Sequence, residues 1–84
     1  MTAATREEIS KWLDEMYSEP KYTHMIVVCD TFDYSDYPVY VSSDQDVREI
    51  HEKQGAGTFS QVMEVYSKEL TKESQLNERR AFNF

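Results

Sequence analysis

The feature that most constrains the fold is an apolar run, MIVVC at residues 25–29, which predicts a β-strand with two hydrophobic faces. The surrounding residues 23–32 are rich in β-branched and aromatic side chains, and the polar stretch 33–36 predicts a turn. Residues 37–41 then return as a second strand, which Pro38 assigns to the edge of the sheet. Helices cover one face of such a strand easily, but 84 residues leave little material for the other face. The run therefore predicts self-association into a homo-oligomer, a dimer or larger.

Two segments carry the apolar spacing of an amphipathic helix. The first begins at a capping box, with Thr5 as the N-cap and Glu8 three residues later, and Pro20 marks its end. The second covers residues 59–70, where apolar residues follow one another at intervals of three and four. The apolar positions are Ile9, Trp12, Leu13, Met16 and Tyr17 in the first segment and Phe59, Val62, Met63, Tyr66 and Leu70 in the second.

Two shorter helices and a docked tail complete the predicted fold. Ser43 can cap the first of these helices, through Asp46, and the glycines of residues 55–57 break it. A weaker turn or helix covers residues 71–80. Phe82 and Phe84 favour a docked tail over a free one, and a third strand is one arrangement it can take. Residues 1–84 are then a single small α+β domain in the order α-β-β-α-α. Its helices are expected on one face of a β-hairpin or three-stranded antiparallel sheet.

Charge and cysteine content exclude several classes of protein. Sixteen acidic and nine basic residues give a net charge of −7, which is the wrong sign for direct nucleic-acid binding. Cys29 is the only cysteine, so an internal disulfide is excluded, and its apolar setting is typical of a buried thiol in a reducing compartment. No apolar run approaches the ~18 residues of a membrane span. These observations predict a cytoplasmic protein without a membrane partner.

The sequence contains no strong catalytic or metal-binding pattern. His24 and His51 have no Cys or His at ligand spacing, and the apolar strand around Cys29 would raise the pKa of its thiol rather than activate it. The three aspartates within residues 30–36 lack the spacing of a calcium loop and are typical of a solvated turn. We therefore predict a non-enzymatic protein with no cofactor and no metal, and a small enzyme or metal-binding protein is the alternative.

Two sets of side chains are candidates for binding a partner or a ligand. Tyrosines of the hairpin offer flat apolar rings with a polar group, which is typical of interfaces. Arginines suit phosphate or carboxylate recognition, together with the backbone amides after Gly57, but they can equally pair with the surplus acidic residues within or between subunits. The first set is Tyr34, Tyr37 and Tyr40, and the second is Arg48, Arg79 and Arg80.

The hairpin sequence HMIVVCDTFDYSDYPVYV at residues 24–41, with residues 62–66 and 78–82, resembles a family of short uncharacterised proteins. Tailed bacteriophages and prophage regions of bacteria encode this family. The resemblance brings no catalytic residue, and it implies an accessory factor that blunts host defence or redirects a host enzyme. Two functions follow as expectations: occlusion of a host protein surface in the host cytoplasm, or an oligomeric sponge that sequesters a phosphate-bearing nucleotide signal.

Overall fold

A computed structural model describes residues 5–32, 35–56, 60–78 and 81–84 of the chain. These residues form a small α+β domain with a three-stranded antiparallel sheet, which confirms the predicted class. The elements are α1 (Arg6–Ser18), β1 (Tyr22–Asp30), β2 (Ser35–Ser42), α2 (Val47–Gly55), β3 (Ser60–Ser67) and α3 (Lys72–Leu76). In these residues no helix is long and apolar enough to cross a membrane.

Helix α1 begins and ends where its sequence predicts. The Thr5 hydroxyl accepts a hydrogen bond from the Glu8 amide and the Glu8 carboxylate accepts one from the Thr5 amide, so the capping box is complete. The helix stops at Ser18, before Pro20, because proline cannot continue the backbone hydrogen-bond pattern. The predicted apolar stripe supplies its buried residues, which are Ile9, Leu13 and Met16.

The hairpin is also confirmed, and β1 is the central strand in the order β2-β1-β3. Strand β2 lies at the edge, as Pro38 predicts. Strand β1 pairs antiparallel with both neighbours, so Ile26 lies between Val39 of β2 and Val65 of β3.

The prediction of a helix over residues 59–70 is wrong, because most of this segment is the strand β3. The register of β3 shifts between its partners Val27 and Val28, where Glu64 and Val62 are the paired residues and Met63 is the extra one. Such a β-bulge lets Val62 and Val65 lie on the same face of the sheet although they are three residues apart. The spacing that imitates a helical repeat is therefore the spacing of a bulged strand.

Helices cover both faces of the sheet, not the one face that was predicted. On one face α1, α3 and Ala81 pack with Met25, Val27 and Tyr66, and on the other α2 places Val47 and Ile50 against a smaller apolar cluster. Residues 25–28 of β1 are at most 1% exposed within a single chain. The argument that a lone chain cannot cover this strand is thus wrong, and self-association stays a prediction without that support. The smaller cluster is Ile26, Val28, Val41 and Val65.

The tail docks through its backbone. Val65 donates to the Ala81 carbonyl (2.8 Å) and accepts from the Asn83 amide (2.9 Å), which makes a parallel bridge between Val65 and Phe82. Ala81 is fully buried, whereas Phe82 and Phe84 stay 46% and 39% exposed. The tail is a short extended segment that pairs with β3. Its two aromatic side chains are not buried, although their apolar character suggested that they would be.

Candidate functional site

The end of the hairpin exposes aromatic side chains beside carboxylates. Phe32 follows β1 and is 78% exposed, and its amide donates to the Asp30 carboxylate (2.9 Å), which shapes the start of the turn. Tyr37 lies near the start of β2 and is 39% exposed. Asp36 pairs with Cys29 across the same end of the sheet. Tyr34, which was predicted to belong to this surface, lies outside the described residues.

Tyr37 and Tyr40 do not form one surface, because side chains three residues apart on a regular strand point to opposite faces. Tyr37 pairs with Val28 and lies on the α2 side of the sheet, whereas Tyr40 pairs with Met25 and lies on the α1 side. The structure therefore separates two residues that the sequence grouped.

Tyr40 joins the sheet to α1. Its ring stacks on Tyr22 with the centroids 4.9 Å apart, and its hydroxyl donates to the Glu15 carboxylate (2.9 Å). Burial raises the pKa of Tyr40 above its usual range, and the nearby Glu15 carboxylate raises it further. Tyr40 thus has a structural role, and its predicted role in partner binding stays a prediction.

Arg48 lies in the first turn of α2 beside the tail. Its guanidinium carbon is 4.8 Å from the centroid of the Phe84 ring, and His51, one turn further along α2, meets the same ring edge-on at 4.9 Å. Arg79, Arg80 and Gly57 lie outside the described residues. Of the predicted anion-binding set, only Arg48 is therefore placed, and it is placed against an aromatic ring.

A groove that the sequence reasoning missed opens at the other end of the sheet, at the start of β1. It has a volume of about 490 Å³. His24 lies in its wall, where its Nδ1 is 3.0 Å from the Thr23 hydroxyl. Burial lowers the pKa of His24 below its ordinary value of 6.5, and Glu69 and the Phe84 backbone act in the opposite direction. No spacing motif in the sequence announces this groove, because its walls come from segments far apart in the chain. They are Pro20, Tyr22, Thr23, His24, Lys68 and Glu69.

The remaining residues that could carry chemistry are Cys29 and the possible metal ligands. Cys29 is buried, as predicted. No group of three or more His, Cys, Asp or Glu side chains among the described residues is placed to hold a metal ion.

Comparison with known proteins adds no relative. No protein-family model, curated protein or solved structure matches this chain.

Proposed function

We propose that this chain is a non-enzymatic accessory protein of phage origin that binds and occludes a host protein in the host cytoplasm. The phage origin and the location rest on the resemblance of the hairpin sequence and on the acidic, cysteine-poor composition. The protein is proposed to work without a cofactor or metal, because binding by surface complementarity needs neither.

The exposure of Phe32 carries the proposal. A phenylalanine ring that is 78% exposed leaves most of its apolar surface in water, and burying that surface against a partner is favourable. Tyr37 adds a second exposed ring, and Asp30 and Asp36 bring negative charge to the same end of the sheet. Aromatic anchors surrounded by polar groups are typical of the energetic centre of a protein interface.

Affinity capture with a matched control tests the proposal. The immobilised wild-type protein is compared with Phe32→Ser and with Leu70→Ser, whose leucine is 41% exposed in the loop between β3 and α3. We expect a bacterial protein that wild type and Leu70→Ser capture equally and Phe32→Ser captures at least about tenfold less, as for loss of an aromatic anchor. The captured protein is then purified and its affinity for all three variants is measured by calorimetry. Equal affinity for all three would contradict binding through the hairpin end.

A nucleotide sponge is the second candidate, and the surroundings of Arg48 favour it. Among the described residues Arg48 has no ion pair with a carboxylate, and its stacking on Phe84 leaves guanidinium donors for an anion. Calorimetry of wild type and Arg48→Ala against mononucleotides and cyclic nucleotides tests this function. Binding that Arg48→Ala weakens roughly tenfold would support it, as for loss of a charge-assisted hydrogen bond. Absence of binding by the wild type would end it.

A further inference from the structure

We infer that the α2 side of the sheet is a self-association surface, on which a second copy of this chain covers the apolar side chains that α2 leaves exposed. These exposed side chains belong to Phe82 and Phe84 of the tail, whereas Val39, on the other side of α2, is half-buried. This inference is separate from the proposed function at the hairpin end, and either can fail alone.

The sheet is wider than α2. Val39, Ile26, Val65 and Phe82 form one apolar row across β2, β1, β3 and the tail. The three strands and the tail lie about 4.8 Å apart, so the row spans roughly 15 Å between its outer backbones. A helix is only about 10 Å across with its side chains. The helix therefore covers the middle of the row, and Val39 at the β2 end is half-buried, whereas the tail end is left uncovered. The exposed fractions agree, since Ile26 and Val65 are fully buried and Phe82 is 46% exposed.

The α1 face of the sheet is covered more completely. Helix α1 has 13 residues and buries three of them completely or nearly so, whereas α2 has nine residues and buries none. In addition, α3 and the buried Ala81 extend the cover over the α1 face. The apolar surface that remains on the two sides of the sheet is thus concentrated beside α2.

Charge identifies the occupant as a second copy. Helix α2 carries two basic and two acidic residues, whereas α1 carries two basic and four acidic residues and the whole chain has a net charge of −7. Two acidic chains repel one another least where the surface is balanced. A strongly basic partner would instead be attracted to the acidic remainder of the surface. The charged residues of α2 are Arg48, Glu49, Glu52 and Lys53.

The ring of Phe84 is already held in place for such a contact. Arg48 lies over its face and His51 makes a T-shaped contact with it, while the residue stays 39% exposed. A ring that is fixed before association loses little conformational entropy when a partner covers it.

Sedimentation equilibrium over about 5 to 500 µM tests the inference, because concentration drives association by mass action. We expect a dimer or larger oligomer for the wild type and at least about tenfold weaker association for Phe82→Ser. Leu70→Ser, a matched exposed apolar site away from α2, should leave association unchanged. A particle of 9.9 kDa at the highest concentration would overturn the inference.

A pair of charge reversals distinguishes an effect at the α2 surface from an effect of net charge, and it leaves the residues of the tail unchanged. Lys53→Glu on α2 and Lys11→Glu on α1 change the net charge equally, and both lysines are exposed. Far-ultraviolet circular dichroism confirms that each variant is folded. Association weakened by Lys53→Glu at least about fivefold more than by Lys11→Glu supports the α2 surface. Equal weakening, or a larger effect of Lys11→Glu, would overturn it.

Discussion

Gln75 is the buried polar residue on which the stability of this fold most depends. Its side chain is fully buried, and its amide group lies beside Ser67, the last residue of β3. The Gln75 Oε1 accepts from the Ser67 amide (2.7 Å), and its Nε2 donates to the Ser67 carbonyl (2.8 Å) and to the Tyr17 hydroxyl (2.8 Å). Asn83 of the tail donates to the same Oε1 (3.2 Å). One side chain therefore connects α1, β3, α3 and the tail.

Replacement of Gln75 by leucine keeps a side chain of similar size and removes every one of these bonds. The Ser67 amide then loses its partner in a residue that is only 4% exposed, whereas the Ser67 carbonyl keeps its hydrogen bond from the Leu70 amide (3.3 Å). A buried backbone group left unpaired costs about 1–3 kcal/mol, so we expect Gln75→Leu to lower the free energy of unfolding by roughly 1–3 kcal/mol. That is a large fraction of the roughly 5–15 kcal/mol typical of a domain.

Gln45→Leu is the matched control. The Gln45 Oε1 also accepts from the amide of a serine at a strand end, Ser42 (2.9 Å), but this bond is exposed and water can replace it. We expect Gln45→Leu to change the free energy of unfolding by no more than about 0.5 kcal/mol. Urea titrations followed by circular dichroism and by the fluorescence of Trp12 give both values. Equal effects of the two substitutions, or a loss below about 1 kcal/mol for Gln75→Leu, would refute the reasoning.

Three further substitutions test individual side chains. Tyr40→Phe removes the hydrogen bond to Glu15 and should lower the free energy of unfolding in urea by about 0.5–1.5 kcal/mol. Tyr66→Phe should not lower it measurably, because the Tyr66 hydroxyl is buried without a hydrogen-bond partner among the described residues. The reverse order would contradict these contacts. Since the pKa of His24 is lowered in the fold, the unfolded chain binds more protons, and stability should fall as the pH drops below about 6.5. Titration of the His24 ring protons by NMR should give a pKa below 6.5, and His24→Gln should flatten the pH dependence; a pKa above 6.5 would reverse the sign.

Local patterns predicted the elements whose signals are local. The capping box and Pro20 fix the bounds of α1. The predicted cap Ser43 is wrong, because α2 is capped by Asp46, whose carboxylate accepts from the Arg48 amide (3.0 Å). The segment 60–67 was misread because its bulge depends on pairing with β1, so the chain must already be folded for the register to shift there. A spacing of three and four residues is therefore weak evidence for a helix where β-branched residues are frequent.

Tertiary contacts also explain why the sequence did not predict the role of Gln75 or the exposure of the aromatic residues. Nothing in the local sequence distinguishes Gln75 from an exposed glutamine, since its partners are Tyr17, Ser67 and Asn83 in other elements. Aromatic character likewise failed to predict burial. Phe82 and Phe84 stay exposed while Tyr66 is fully buried, because exposure depends on the width of the helix that covers each part of the sheet. Phe32 stays exposed because it lies in the turn after β1.

The edges of the sheet favour the proposed contacts through side chains over the addition of a strand. Along β3, Val65 gives both its backbone groups to the tail and Ser67 gives both of its groups to Gln75, so this part of the edge is closed by the chain itself. On the other edge, Pro38 interrupts the row of donors in the middle of β2. A partner therefore finds little backbone on which to add a strand within the described part of the molecule. The exposed rings at the hairpin end and beside α2 remain, and association at either place should depend on shape and apolar area, which single substitutions of those rings can measure.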